Sequence, residues 1–551
     1  VKRLPDHLRA TARTAVAILL SLGFALSIPG SAAGVTYAQI EGTGSTWSDL
    51  IVQQWIADVD ANGMKVVYTG GGSSKGRKDF SLKSTDFAIS EIPYQGTDEQ
   101  GNADTSAGRK YAYLPIVAGG TAFTYQLKIG SKRVDNLRLS GETLTKIFTN
   151  QITSWDDPAI AADNNGRAFP KLPITPVVRS DGSGTTAQLT TWMDKAYPDI
   201  WRPFFGKSGL TSYFPREGRA VSQSGSDQVM NYISSEAGNG TIGYVEYAYP
   251  LDKGYPVVKV LNKAGYYVEP TQYNTAVALT KAKINQDKNS QLYLTQILDQ
   301  VYTNADPRAY PISSYSYMII PTGTNAEDPR MSTAKRQTLA DFMFYSLCAG
   351  QTKAGNYGYS PLPLNLVQAG FEQLTKLRTA DPAVDLEDRD VKSCGNPTFD
   401  GKNLNKNVLA ERAPQPAACD KQGEGPCGDA TGTGEPTTDD PAAPAAGGEA
   451  PVDGGGGTDT PGTVTDPGAA PAGDAPAVVD PITGESTVAA PTTTGGTTGE
   501  AIYANPTELS ADRPGDGKAF GLLAVALLIG LVVLPGVYAG VLRRRMPGGA
   551  K

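Results

Sequence analysis

Apolar residues recur along the chain in two registers. Runs of strand length occur at Val66–Tyr68, Phe87–Ile89, Ile174–Val178, Ile242–Val245, Val257–Val260 and Tyr317–Ile320. Between several of them the apolar positions return at three- and four-residue spacing, which lines one face of a helix. Leu50, Ile51, Trp55, Ile56 and Val59 form one such face. Leu144, Ile147 and Phe148 form a second, Leu189, Trp192, Met193 and Ala196 a third, and Leu339, Phe342, Met343 and Leu347 a fourth. Strands that alternate with helices predict the α/β class. Residues 34–405 hold all five Trp, and at about 370 residues they exceed what one core usually covers, so two lobes are expected.

The ends carry a different pattern. Lys2, Arg3, Arg9 and Arg13 precede an almost unbroken apolar run at 15–28, followed by Pro29, Gly30, Ser31, Ala32 and Ala33. A basic region, a short apolar core and small residues predict a signal peptide over 1–33, with cleavage after Ala33 and Ala38 as the second choice. The run is short for a membrane span. Residues 519–542 carry no charge and are followed by Arg543, Arg544 and Arg545. They predict a transmembrane helix, with Pro535 tolerated inside it and a cytoplasmic tail over 543–551. Everything between the two segments is then expected outside the membrane.

Composition adds a third region. From 422 to 512 there is no Lys or Arg, and residues 430–500 are dominated by Gly, Thr, Ala and Pro, with no aromatic. Such a segment cannot bury enough apolar surface to offset its ordering entropy. Residues 406–516 are therefore expected to be a disordered acidic linker. The chain's net charge is −7; the acidity lies in that linker, and residues 34–421 sum to zero. The mild overall acidity argues against a nucleic-acid partner, which would want a basic face. The single histidine, His7, falls in the signal peptide. A mature chain without histidine excludes Ser-His-Asp and Cys-His catalysis and His-ligated metals. No metal or cofactor is expected. Cys348, Cys394, Cys419 and Cys427 lie on the expected outer side, where an even count reads as two disulfides. Of the three possible pairings, Cys348–Cys394 with Cys419–Cys427 is favoured, because the second pair closes a short local loop.

Three Gly-, Ser- and Thr-rich turns each lead toward a helix: Gly42–Trp47, Gly70–Gly76 and Arg179–Thr186. Glycine lets the backbone approach a ligand, hydroxyls add donors, and a helix N-terminus presents free N–H groups with partial positive charge. One such turn is ordinary capping. Three, one of them carrying an Arg, point to a tetrahedral oxyanion held mainly by neutral donors. None has the Walker A lysine pattern, so a nucleotide is not indicated.

The segments GTGSTW (42–47), GGGSSKG (70–76), STDFAISE (84–91), LSGETLTKIFTNQITSWDDPAI (139–160), VVRSDGSGT (177–185), GTIGYVEYAY (240–249) and YSPLP (359–363) resemble, in order and spacing, the phosphate-binding protein of the bacterial high-affinity phosphate ABC transporter. The resemblance covers about residues 35–380. It implies a two-lobed, hinge-closing fold of the type II periplasmic-binding-protein kind, with lobe 1 at about 34–118 and 275–405 and lobe 2 at about 119–274. It places phosphate ligands at Thr46, Trp47, Ser73, Arg179, Ser183, Gly184 and Thr185, with Asp181 holding Arg179. The family normally has Asp where this chain has Glu91. That acid accepts a hydrogen bond from the proton on phosphate and repels sulfate, which has none. Glu91 either does the same from a shifted backbone, or points away, or leaves the task to another carboxylate.

The resemblance implies a monomeric, non-enzymatic protein on the outer face of the plasma membrane, delivering inorganic phosphate to an ABC permease. A sensing or adhesive surface protein that uses the same fold without transport is the alternative. A secreted phosphatase is disfavoured by the missing histidine.

Overall fold

The structure, a computed structural model, describes residues 37–432 except 388, 390, 392 and 393, together with the short pairs 478–479 and 486–487. The expected signal peptide, His7, the transmembrane helix, the cytoplasmic tail and most of the linker lie outside the described residues.

Eight strands form the main sheet: β1 (Ile40–Gly44), β2 (Val66–Gly70), β3 (Phe87–Ser90), β4 (Tyr111–Gln126), β5 (Thr175–Arg179), β6 (Val221–Gln223), β7 (Thr241–Glu246) and β8 (Ser313–Pro321). Their order across the sheet is β6-β5-β7-β4-β8-β3-β1-β2. The flanks are parallel, β1 with β2 and β3 and β5 with β6 and β7. The centre is antiparallel. The fold is α/β, as the alternation of patterns predicts.

β4 is the join. Tyr111–Gly120 pairs with β8, and Thr121–Gln126 pairs with β7. The switch falls at Gly119–Thr121. A Cβ on Gly119 would lie 2.7 Å from the Trp47 ring and 2.8 Å from Glu246 Oε1, so only glycine fits where the two halves meet. Beside the first half of β4 lies one core, which includes Ile40, Trp55, Phe87, Tyr113, Met318 and Phe342. Beside the second half lies another, which includes Phe123, Leu144, Trp155, Val178, Trp192 and Tyr244.

Four helices begin at strand ends that face the junction: α1 (Asp49–Asp60), α2 (Ser73–Ser81), α3 (Gly184–Ala196) and α4 (Gly225–Ser234). The amphipathic faces pack as their spacing predicts. Ile51, Trp55 and Val59 of α1 are buried, as are Leu189, Trp192 and Met193 of α3; Ala196, at the end of α3, is exposed. Among the predicted strands, Val257–Val260 differs most. Val257 makes only an isolated bridge to Thr124, and the strand proper runs Lys259–Leu261.

Two disulfides are present, Cys348–Cys394 and Cys419–Cys427. The folded chain also continues past 405, where composition places the start of the linker. Residues 406–432 form a strap across both cores. Its helix α6 (Val408–Arg412) packs against α5 (Gln272–Leu279), with Leu409, Ala410 and Ala413 in the first core. The loop closed by Cys419–Cys427 then docks on the second half. Arg138 donates to the carbonyls of Cys419 (2.8 Å) and Glu424 (2.6 Å). Lys259 pairs with Asp420 at 2.8 Å, and Thr431 N–H donates to Asp135 O at 2.7 Å. The correction has a simple cause. Composition reports the average of a window, and the apolar and cysteine residues that anchor this strap are few.

Candidate functional site

The N-termini of α1 to α4 converge where the two halves of the sheet meet, α1 and α2 from the first half and α3 and α4 from the second. Each end leaves backbone N–H groups without intrahelical partners and carries partial positive charge. The Gly- and Ser-rich turns bring them close. Ser74 N–H donates to Gly182 O at 2.9 Å across the junction. Thr46 Oγ1 lies 3.0 Å from Ser226 Oγ and accepts from Ser226 N–H at 3.2 Å. Gln188, on α3, donates to Glu91 O at 2.8 Å. Tyr249 OH donates to Thr46 O. These contacts hold the halves against each other.

The residues expected to form the site are brought together here and are buried. Arg179 ends β5. Its Nε donates to Asp181 Oδ1 at 2.7 Å, and its Nη2 donates to Asp181 Oδ2. Nη1 lies 3.4 Å from Ser226 Oγ. Asp181 Oδ1 also accepts from Gly225 N–H at 2.9 Å, which ties the ion pair to the start of α4. Ser183 caps α3 by accepting from Thr186 N–H at 3.2 Å. Thr185 Oγ1 is buried and has no hydrogen-bond partner. Burying a hydroxyl uncompensated costs free energy, so this group is open to a further partner. Trp47 N–H, expected to face a ligand, donates instead to Ser45 Oγ at 2.9 Å.

Glu91 follows directly on β3 and points into the same cluster. Ser73 Oγ donates to its Oε2 at 2.7 Å and Ser316 Oγ to its Oε1 at 2.9 Å. A Cβ on Gly184 would fall 2.1 Å from Oε2 and 2.4 Å from Ser73 Oγ. The start of α3 can approach Glu91 only because residue 184 is glycine.

Sequence reasoning missed Ser226 and the start of α4. The signal was present in Ser222–Asp227, a Gly- and Ser-bearing turn of the same kind as the other three. Ser316 carries no local signal, since it lies within a uniformly buried strand. Asp49, in the first turn of α1, is lifted from the ordinary aspartate range to about 6, mainly by burial, with Asp227 on α4 adding to the effect and a hydrogen bond from Gln53 opposing it. Glu246, at the end of β7, is pushed well above the ordinary range by burial. Among the described residues, no group of three or more His, Cys, Asp or Glu could hold a metal ion. The cluster therefore offers one guanidinium, several hydroxyls, four helix ends and a carboxylate. That set suits a compact oxyanion that still carries a proton.

Residues 29–349 match the model of the PBP superfamily domain. The chain is 30% identical over 341 residues to the phosphate-binding protein PstS of Xylella fastidiosa (strain Temecula1), covering 62% of this chain and 86% of that one. It is 30% identical over 350 residues to the PstS of Methanocaldococcus jannaschii, with the same two coverages. Among solved structures, a high-affinity periplasmic phosphate-binding protein (PfluDING) bound with phosphate aligns with a TM-score of 0.47 and 20% identity, over 65% of this chain and 99% of that one.

Proposed function

The chain belongs to the PBP superfamily and, within it, to the PstS phosphate-binding proteins, and from that premise we propose that it captures inorganic phosphate between its two halves outside the cell and delivers it to an ABC permease. The observation that carries this reading is the convergence of four helix N-termini with the Arg179–Asp181 pair and Glu91, joined across the two halves by Ser74–Gly182 and Thr46–Ser226 contacts. Closure around the anion removes water. Hydrogen bonds from hydroxyls and backbone N–H groups then act in a low dielectric, and few full charges are needed. Asp181 balances Arg179, so the site discriminates through donor geometry more than through net charge.

In this reading Thr46, Ser73, Arg179, Ser183, Gly184 and Thr185 hold the phosphate oxygens, the Trp47 N–H being engaged by Ser45 Oγ, and Glu91 accepts the proton that phosphate retains near neutral pH. Sulfate lacks that proton and meets an unrelieved carboxylate. The protein is a binding component and not an enzyme. Residues 1–33 direct export, and 519–542 anchor the chain in the membrane. The intervening tether keeps the binding unit at high effective concentration beside its permease.

The test is calorimetric titration of the purified full chain with phosphate and sulfate, paired with phosphate uptake in a strain lacking the protein. One saturable phosphate site and lowered uptake are expected. An absence of phosphate binding would refute the reading. Binding with normal uptake, in a strain without a redundant binding protein, would refute delivery alone.

A further inference from the structure

We propose that Ser316 is a positioning residue for Glu91. It ties back one carboxylate oxygen so that the other meets the ligand, and it thereby sets the preference for a proton-bearing tetrahedral anion over one without a proton. The inference rests on the phosphate reading and deepens it.

β3 and β8 run antiparallel, with Ser90 opposite Tyr317 and Ile89 opposite Met318. In the pairing of β8 with β4, the register shifts between Ser316 and Tyr317. Such an irregularity re-aims a side chain. Ser316 is fully buried, and its hydroxyl donates to Glu91 Oε1 at 2.9 Å. A longer contact, at 3.4 Å, reaches Ser48 Oγ.

The two carboxylate oxygens therefore have different surroundings. Oε1 is held by β8, within its own half of the molecule. Oε2 accepts from Ser73 and faces the start of α3, where a Cβ on Gly184 would collide with it. The backbone of Glu91 is braced too, its carbonyl accepting from Gln188 at 2.8 Å and Gln296 at 3.2 Å.

The brace matters because the residue is Glu. The terminal torsion of glutamate is broad and roughly two-fold. With its position unfixed, the carboxylate can swing away from a dianion that offers no proton, and the repulsion that excludes sulfate is relieved. The hydrogen bond to the rearward oxygen, added to that from Ser73 to the forward one, removes that freedom. Removing the bond should raise the affinity for sulfate relative to phosphate. A general loss of packing would weaken both anions alike.

The experiment compares the full chain with Ser316→Ala and Ser316→Thr, each titrated with phosphate and with sulfate between pH 6 and 8. Ser316→Ala is expected to narrow the phosphate-to-sulfate affinity ratio by about tenfold, the scale of one hydrogen bond to a charged group. Its ligand-free melting temperature should stay close to that of the parent. Ser316→Thr, which keeps the hydroxyl, is expected to hold the ratio near the parent value. An equal loss for both anions in Ser316→Ala, or an unchanged ratio, would overturn the inference while leaving the phosphate reading intact. A parent chain that binds no phosphate would overturn both.

Discussion

In the proposed phosphate site, Arg179 and Glu91 would act on the ligand in opposite senses. Arg179 attracts any anion, and Asp181 fixes its guanidinium in two hydrogen bonds, so its geometry exists before a ligand arrives. Truncating Arg179 to Ala removes a charge-assisted donor and leaves Asp181 an unpaired, largely buried carboxylate. Phosphate affinity should fall by about 2–4 kcal/mol, roughly 30- to 1000-fold in Kd; calorimetry reads this directly, and unchanged binding would move the site elsewhere. Glu91 filters. In Glu91→Gln an amide replaces the carboxylate, so the charge that excludes sulfate is gone while the hydroxyls of Ser73 and Ser316 keep a partner. The expected result is a narrower phosphate-over-sulfate preference, measured as the ratio of the two affinities. An unaltered ratio would take selectivity away from this residue.

At the level of elements, helix ends make the candidate site, and a carboxyl at one of them gives the fold a pH dependence. A carboxylate in the first turn of a helix is normally favoured in its charged form by the dipole. For Asp49 burial wins, and the carboxyl titrates at about 6. A carboxyl whose pKa is raised on folding stabilises the folded form fully below its unfolded value, near 4, and loses that contribution as pH rises through about 6. Asp49→Asn should therefore flatten the fall in melting temperature of the ligand-free protein between about pH 4 and pH 6. A slope identical to the parent would show that Asp49 ionises freely in the fold. The turns ahead of α1, α2 and α3 were legible because their chemistry is local: glycine, hydroxyls and a following amphipathic helix lie within a few residues. β4 was not. Its sequence YAYLPIVAGGTAFTYQ holds Pro115 and Gly119–Gly120, which read as breaks, and its near-complete burial erases the alternation that marks a half-exposed strand. Ser316 escaped for another reason. Its partner Glu91 is 225 positions away in sequence, and no window of residues reports a contact of that range.

Across the whole molecule, the disulfides tie distant or protruding chain to the cores. Cys348–Cys394 closes 46 residues and Cys419–Cys427 closes 8. Loop-closure entropy predicts about 4 kcal/mol for the longer loop and about 2.5 kcal/mol for the shorter. Paired Cys→Ser replacements should lower the melting temperature in that order. The reverse order would mean that the short loop contributes through its docking on Arg138 and Lys259 more than through closure. The strap that carries this loop has a mechanical consequence. Tyr37 and Ala38 are fastened to Asp341 and Thr338 on the first half, whereas Thr431 is fastened to Asp135 and Val257 on the second. The two ends of the described fold are thus moored on opposite halves, so any movement of one half against the other would change the distance between them. A fluorophore pair at residues 37 and 432 would therefore report any movement of one half against the other when phosphate is added, and an unchanged transfer efficiency would count against such a movement.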